Sequence, residues 1–180
     1  MRKLVAILDD SDVPYMIIGG YALPAYGRIR ATQDLDVAIA ASISEVERLH
    51  TTLRERDFMI PQAPQEEASM YFLLDQENSA EIEIYTEPDG VIWNKELLER
   101  RIRVHPFNDD FEAFVIGPED FIINKLARED RAAQNEDDVV SVLRMQEGKL
   151  DYRYLTRRAR QAGVWGLLQT LIGAISQTGE

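Results

Sequence analysis

The segment Tyr15-Met16-Ile17-Ile18 runs directly into Gly19-Gly20, and after a short interval Thr32-Gln33-Asp34-Leu35-Asp36-Val37 opens a second apolar run. This pairing constrains the fold more than any other feature of the chain. In an extended strand successive side chains point to opposite faces, so Asp34, Asp36 and Ala38 share one face while Leu35, Val37 and Ile39 share the other. The apolar face requires a core. The opposite face gathers two carboxylates, whose repulsion must be offset by a cation, a basic group or water. Hard divalent cations with oxygen ligands, Mg²⁺ or Mn²⁺, suit such a pair. Gly19 and Gly20 remove side chains where the first strand ends, so backbone N–H groups can approach an anion, and a helix following them would add its positive N-terminal end. The pattern predicts a phosphate site beside a metal site.

At these residues the sequence resembles the minimal nucleotidyltransferases of the polymerase-β-like superfamily, a group that includes the toxin partners of abortive-infection and toxin–antitoxin pairs. Their signature is an apolar strand, Gly-Gly or Gly-Ser, a short helix, then Thr-x-Asp-x-Asp, matched here by Gly19-Gly20, Thr32, Asp34 and Asp36. The resemblance spans roughly residues 13 to 160, and its specific part lies in residues 18 to 37. It implies an α/β (α+β) fold, a mixed sheet with flanking helices, over residues 1–116, followed by a helical subdomain over 117–180 packed on that core. It also implies that Asp34 and Asp36 bind Mg²⁺ and a nucleoside triphosphate while Gly19, Gly20 and Thr32 line the nucleotide.

A metal-dependent site calls for another carboxylate. In Glu81-Ile82-Glu83-Ile84-Tyr85 the alternation sets Glu81, Glu83 and Tyr85 on one face. The family usually places an aspartate between apolar residues in this strand, a frame that Glu83 fits first and Glu81 second; glutamate for aspartate is a departure from the pattern. Arg28 and Arg30 sit in the interval tied at both ends to the proposed site, and Arg30 is the candidate nucleotide contact. Further on, Pro118-Glu119-Asp120 opens a helix, since proline at the first turn sacrifices no needed donor and acids suit the dipole. Lys125 projects between apolar positions of that helix. On residues alone it snorkels along the core edge; the family's Pro-Glu-Asp-x-x-x-x-Lys helix implies a contact to nucleotide phosphates. Arg131-x-x-Gln134-x-x-Asp137-Asp138-Val139 resembles the family's next helix entry, with both aspartates read as helix N-terminal acids.

Composition narrows the class. At 180 residues with 45% hydrophobic content, the chain can bury one core. The net charge of −12 disfavours broad nonspecific affinity for nucleic acid. No cysteine is present and the two histidines, His50 and His105, are isolated, which disfavours disulfides, thiolate sites and zinc. No apolar run reaches the roughly 20 residues needed to span a bilayer, so the expectation is a soluble cytoplasmic protein.

The remaining pattern predicts helices over 2–10 and 21–26, strands over 13–18 and 35–39, a helix opened by Ser44-x-x-Glu47, and a loop over 61–68. A strand pair follows at 70–74 and 80–85, then short strands at 101–104 and 111–116, then helices after Pro118, Asp137, Asp151 and Val164. Arg153, Arg157, Arg158 and Arg160 crowd one of these helices, where a solvated face is the plain reading and a substrate-binding surface the alternative. The expected activity is metal-dependent transfer of a nucleoside monophosphate from an NTP to a hydroxyl on a tRNA end, a protein or a small molecule, in a two-component system with a small helical partner protein. The second reading is a noncatalytic protein of the same fold that binds a nucleotide or a partner.

Overall fold

A computed structural model of the chain describes residues 1–65, 68–106, 110–129 and 133–177. The chain divides into two compact units and passes between them several times. The first comprises residues 1–22, 31–88 and 101–115, and the second residues 23–30, 89–100 and 116–180.

The first unit holds a seven-stranded mixed sheet. Its strands are β1 (Tyr15–Ile17), β2 (Leu35–Ile39), β3 (Phe58–Met59), β4 (Met70–Asp75), β5 (Ala80–Tyr85), β6 (Ile102–Val104) and β7 (Ala113–Val115), in the order β3-β4-β5-β2-β1-β7-β6. β2 runs antiparallel to β1 and parallel to β5, and β1 runs parallel to β7. The predicted pair at 70–85 is an antiparallel hairpin. In β2, Leu35, Val37 and Ile39 are buried while Asp36 is half-buried, as alternation requires; Ala38 is buried as well, so its face is covered beyond the carboxylate.

Among the described residues two α-helices belong to this unit, α1 (Arg2–Asp10) and α2 (Ile43–Glu55), and the helix predicted over 21–26 is a 3-10 helix that starts at the glycines themselves, Gly19–Tyr26. The capping box of α2 is Ser42 with Glu45, two residues earlier than Ser44 and Glu47: the Ser42 N–H donates to Glu45 Oε2 at 2.7 Å and its hydroxyl donates to the same oxygen at 2.6 Å. Two serines spaced by two residues offered alternative caps for the same helical face, on which Val46, Leu49 and Leu53 are buried. Inside α2, His50 is 2% exposed, lies edge-on to Tyr71 at 4.8 Å, and its Nδ1 has no hydrogen-bond partner among the described residues. Burial, helped by the charge of Arg54, pushes the His50 imidazole down to about 4.

The second unit is helical. It contains α3 (Lys95–Arg100), α4 (Pro118–Ala127), α5 (Ala133–Met145), α6 (Tyr152–Gln161) and α7 (Trp165–Gln177). α3 and β3 are elements that the sequence pattern did not predict; both are short, and β3 pairs with β4 and buries Phe58. α4 is buried from Glu119 to Leu126, with Phe121, Ile122 and Ile123 fully enclosed. The inserted stretch 23–30 joins this core through Leu23 and Tyr26. The Tyr26 ring meets Phe121 edge-on at 5.2 Å, and its hydroxyl donates to the Ile116 carbonyl. Asp151 caps α6 by accepting from the Tyr154 N–H at 2.9 Å. Among the described residues no helix is long and apolar enough to cross a membrane.

Candidate active site

The glycine pair and the second strand are packed together in the first unit. Gly19 has φ +64°, a conformation that disfavours any residue with a Cβ. A Cβ built there would overlap Asp36 Oδ2, lying 2.6 Å from Asp36 Cγ and 2.9 Å from its Cβ. At Gly20 a Cβ would lie 2.7 Å from both Cβ and Oγ1 of Thr32. Each glycine therefore makes room for one side chain of the Thr-x-Asp-x-Asp run. The Ile18 N–H donates to the Asp36 carbonyl at 2.9 Å, which ties the end of the first strand to the level of that carboxylate.

The strand register supplies the next neighbour. In the parallel β2/β5 pairing Asp36 stands opposite Glu83, flanked by the pairs Leu35 with Ile82 and Val37 with Ile84. Glu83 is half-buried and accepts a hydrogen bond from the Tyr85 hydroxyl, whereas Glu81 is exposed. Asp34 precedes β2 and is half-buried. Among the described residues no three carboxylate or imidazole side chains are grouped closely enough to hold a metal ion by themselves.

In the second unit Arg30 and Lys125 meet on one carboxylate. Asp138 is wholly buried in the middle of α5, and its oxygens accept from Arg30 Nε at 3.1 Å and Arg30 Nη2 at 3.0 Å. Lys125 Nζ lies 3.6 Å from Asp138 Oδ2 and donates to Asn135 Oδ1 at 3.3 Å, while Arg28 Nη2 lies 3.4 Å from Asp138 Oδ1. Arg28 Nη1 also donates to the Asp137 carbonyl and to Ser141 Oγ, each at 2.5 Å. Lys125 thus does not snorkel outward; it is 7% exposed and turned onto α5. Asp138 is not a helix N-terminal acid either, because α5 begins at Ala133 and carries Asp138 on the same buried stripe as Asn135, Val139, Val142 and Leu143. An acid at a core position of a helical repeat was the signal available in the sequence. Arg131 lies outside the described residues.

The arginines of α6 also differ from a single solvated face. Arg158 is 3% exposed, donates from Nε to Asp120 Oδ1 at 3.1 Å and from Nη2 to the Gly90 carbonyl at 2.7 Å. Arg157 forms a two-oxygen pair with Glu96 on the surface, at 2.6 and 2.7 Å. These contacts hold the helices of the second unit to one another. The Tyr26 phenol, held well above its usual range by burial and then by the charges of Asp120 and Glu119, serves as a donor and not as an acid or base.

Comparisons with known proteins bear on this geometry. The family model described as "Nucleotidyl transferase of unknown function (DUF2204)" matches residues 1–163. No curated protein matches the sequence. Among solved structures the fold is similar to that of the antibiotic-resistance factor ANT(2'')-Ia, with a TM-score of 0.54 and 13% identity over 98% of this chain and 93% of that one. It is also similar to the lincosamide antibiotic adenylyltransferase LnuA, in a lincomycin-bound structure, with a TM-score of 0.52 and 14% identity over 80% of this chain and 96% of that one. An antigenic nucleotidyltransferase-like protein from Paracoccidioides brasiliensis gives a TM-score of 0.51 and 17% identity over 95% of this chain and 89% of that one. At these identities the likeness establishes the nucleotidyltransferase fold.

Proposed function

The chain belongs to that nucleotidyl transferase family, and on this premise we propose that it transfers a nucleoside monophosphate from a nucleoside triphosphate to a hydroxyl acceptor, with Mg²⁺ or Mn²⁺ as cofactor. The observation that carries the reading is the seating of the Asp36 carboxylate against Gly19 and opposite Glu83. Fixed carboxylate oxygens are the donors a hard cation prefers. Mg²⁺ commonly binds through one or two carboxylates and completes its shell with water and substrate phosphates. Asp34 and Asp36 would hold the ion, with Glu83 beside them, and when bound it would neutralise charge developing on the phosphates.

The residues of the chain supply the rest. Gly19 and Gly20 would offer their backbone N–H groups to phosphate oxygens, beside Thr32, which fills the space a Cβ at Gly20 would take. The acceptor oxygen attacks the α-phosphorus, the bond to the bridging oxygen breaks, and pyrophosphate leaves. The acceptor proton passes to the Glu83 carboxylate. A tRNA end, a protein hydroxyl and a small molecule are the acceptor classes, and the lincomycin bound by LnuA makes hydroxylated antibiotics the first to assay.

The test is transfer of label from α-labelled NTPs to total RNA, total protein and a panel of aminoglycosides and lincosamides, with and without divalent cation. Cation-dependent labelling that vanishes in Asp34→Ala and Asp36→Ala is expected. Equal labelling by either purified, folded variant contradicts the reading; NTP binding with no labelled acceptor favours the noncatalytic one.

A further inference from the structure

Across β2, β5 and β4, the sheet of the first unit has one closed and one open face. Leu35 and Val37 of β2, Ile82 and Ile84 of β5, and Tyr71 and Leu73 of β4 are all buried on the closed one. Alternation puts Asp36 and Glu83 on the other together with Tyr85, Met70, Phe72 and Leu74, and none of these six is fully buried. The antiparallel register sets Phe72 directly across from Glu83, and Met59 of β3 directly across from Leu74. Directly opposed residues hold their Cβ atoms about 4.5–5.5 Å apart. Glu83 therefore has unlike neighbours on its two sides, the Asp36 carboxylate on β2 and a phenyl ring on β4. From that ring to the edge strand β3 the face is apolar: Phe72 and Leu74 are half-buried, Met70 is 36% exposed and Met59 43% exposed.

We propose that Met59, Met70, Phe72 and Leu74 form the acceptor subsite: they bind the carbon face of a hydroxylated small molecule that carries no phosphate, and so hold its hydroxyl beside Glu83. This rests on the nucleotidyl-transfer reading above and narrows its acceptor class. The cation and the triphosphate belong to the Asp36 side of Glu83, which leaves the β4 side to the acceptor. The acceptor oxygen bonds to the α-phosphorus as pyrophosphate leaves, and its proton passes to Glu83. Met70 to Leu74 spans about 13 Å at the rise of a strand, room for a molecule of a few rings. A phenyl ring offers flat apolar area to such a molecule, and methionines adapt to its outline. Charge points the same way. β2, β4 and β5 carry no Lys or Arg, and the first unit as a whole holds nineteen acids against seven bases. An RNA end would bring its phosphates among carboxylates with no cation on these strands to neutralise them, whereas a neutral or cationic small molecule meets no such penalty.

The experiment measures Mg²⁺-dependent transfer by the full chain from α-labelled nucleoside triphosphates to separate pools: neutral glycosides, amino sugars, sugar phosphates, total RNA and total protein. Label on a glycoside or an amino sugar is expected. Phe72→Ala is expected to raise KM for that acceptor about tenfold, as loss of an aromatic contact does, with KM for the nucleotide unchanged. Should Phe72→Ala fail to fold, Met70→Ser at the exposed rim reads the same surface and is expected to raise the acceptor KM about threefold. Label on RNA, sugar phosphates or protein alone, or an acceptor KM that the folded variants leave unchanged, would overturn the subsite while the transfer reading stands. No label in any pool, from a wild type that nucleotide and Mg²⁺ still stabilise, would overturn the transfer reading itself and the subsite with it.

Discussion

The glycine–carboxylate motif and the Asp138 cluster both fix charged side chains, by opposite means. In the first, the constraint is steric and local: Gly19 at φ +64° has no Cβ, and the space is filled by Asp36, with Thr32 doing the same at Gly20. In the second it is electrostatic and nonlocal, joining residues 28 and 30 to positions on α4 and α5 about a hundred residues later. A steric seat tolerates no added atom, whereas an electrostatic one tolerates changes of shape and fails when charge is removed. Substitutions can separate the two.

The largest effect is expected at Gly19. Alanine there must displace the Asp36 carboxylate and hold a positive φ, so nucleotidyl transfer should fall by about 100-fold or more, as misplacement of a reacting group by an ångström can cause. Gly163→Ala is the matched control, because it has φ +72° but nothing within 4 Å of an added Cβ. It should cost about 1 kcal/mol of stability and leave transfer intact. Comparable losses of transfer in both variants would show that backbone strain, and not the seat for Asp36, is what matters at Gly19.

Next comes the contrast between buried and surface charge in the second unit. Asp120→Ala leaves Arg158 buried without its carboxylate, and denaturant titration should show a loss of about 3–5 kcal/mol. Glu96→Ala breaks a shorter pair with Arg157, 2.6 Å against 3.1 Å, but at the surface, and its midpoint should stay near wild type. Similar midpoints for the two variants would refute the claim that Asp120 and Arg158 form a structural pair.

A smaller effect belongs to pH. The folded chain keeps His50 neutral down to about pH 4, while the unfolded chain protonates it near its ordinary value of 6.5. A depressed folded pKa means full stability above pH 6.5 and progressive loss as pH falls toward 4, about 2 kcal/mol after allowance for solvent screening. In His50→Leu that part of the slope should disappear. An unchanged slope would assign the acid sensitivity to other groups.

The first region was legible in the sequence because its parts lie within eighteen residues of one another and each obeys a local rule: glycine where a side chain cannot fit, alternation along β2, and carboxylates on one face. The hairpin at 70–85 was legible for the same reason. The frame of the α2 cap was not, since Ser42-x-x-Glu45 and Ser44-x-x-Glu47 satisfy the local rule equally. Asp138 was misread because two adjacent acids near a helix start ordinarily suit the dipole; only the arrival of Arg28, Arg30 and Lys125 makes its burial tolerable, and those partners are set by tertiary structure. The register that sets Glu83 opposite Asp36 likewise depends on a parallel pairing that crosses α2 and the hairpin, which no local pattern specifies.

The claim at the centre of this account is that Asp36, seated by Gly19, binds Mg²⁺ together with a nucleoside triphosphate. A ligand that binds only the folded chain stabilises it by about 2.7 kcal/mol at a hundredfold excess over its dissociation constant. The direct measurement is the melting temperature of wild type and Asp36→Asn with and without Mg²⁺ and each nucleoside triphosphate, against NaCl of equal ionic strength, because a chain of net charge −12 gains from screening alone. Wild type should rise beyond the salt control with at least one nucleotide, and Asp36→Asn should melt no lower than wild type without ligand yet lose most of the rise. A full ligand-induced rise in Asp36→Asn would contradict the claim.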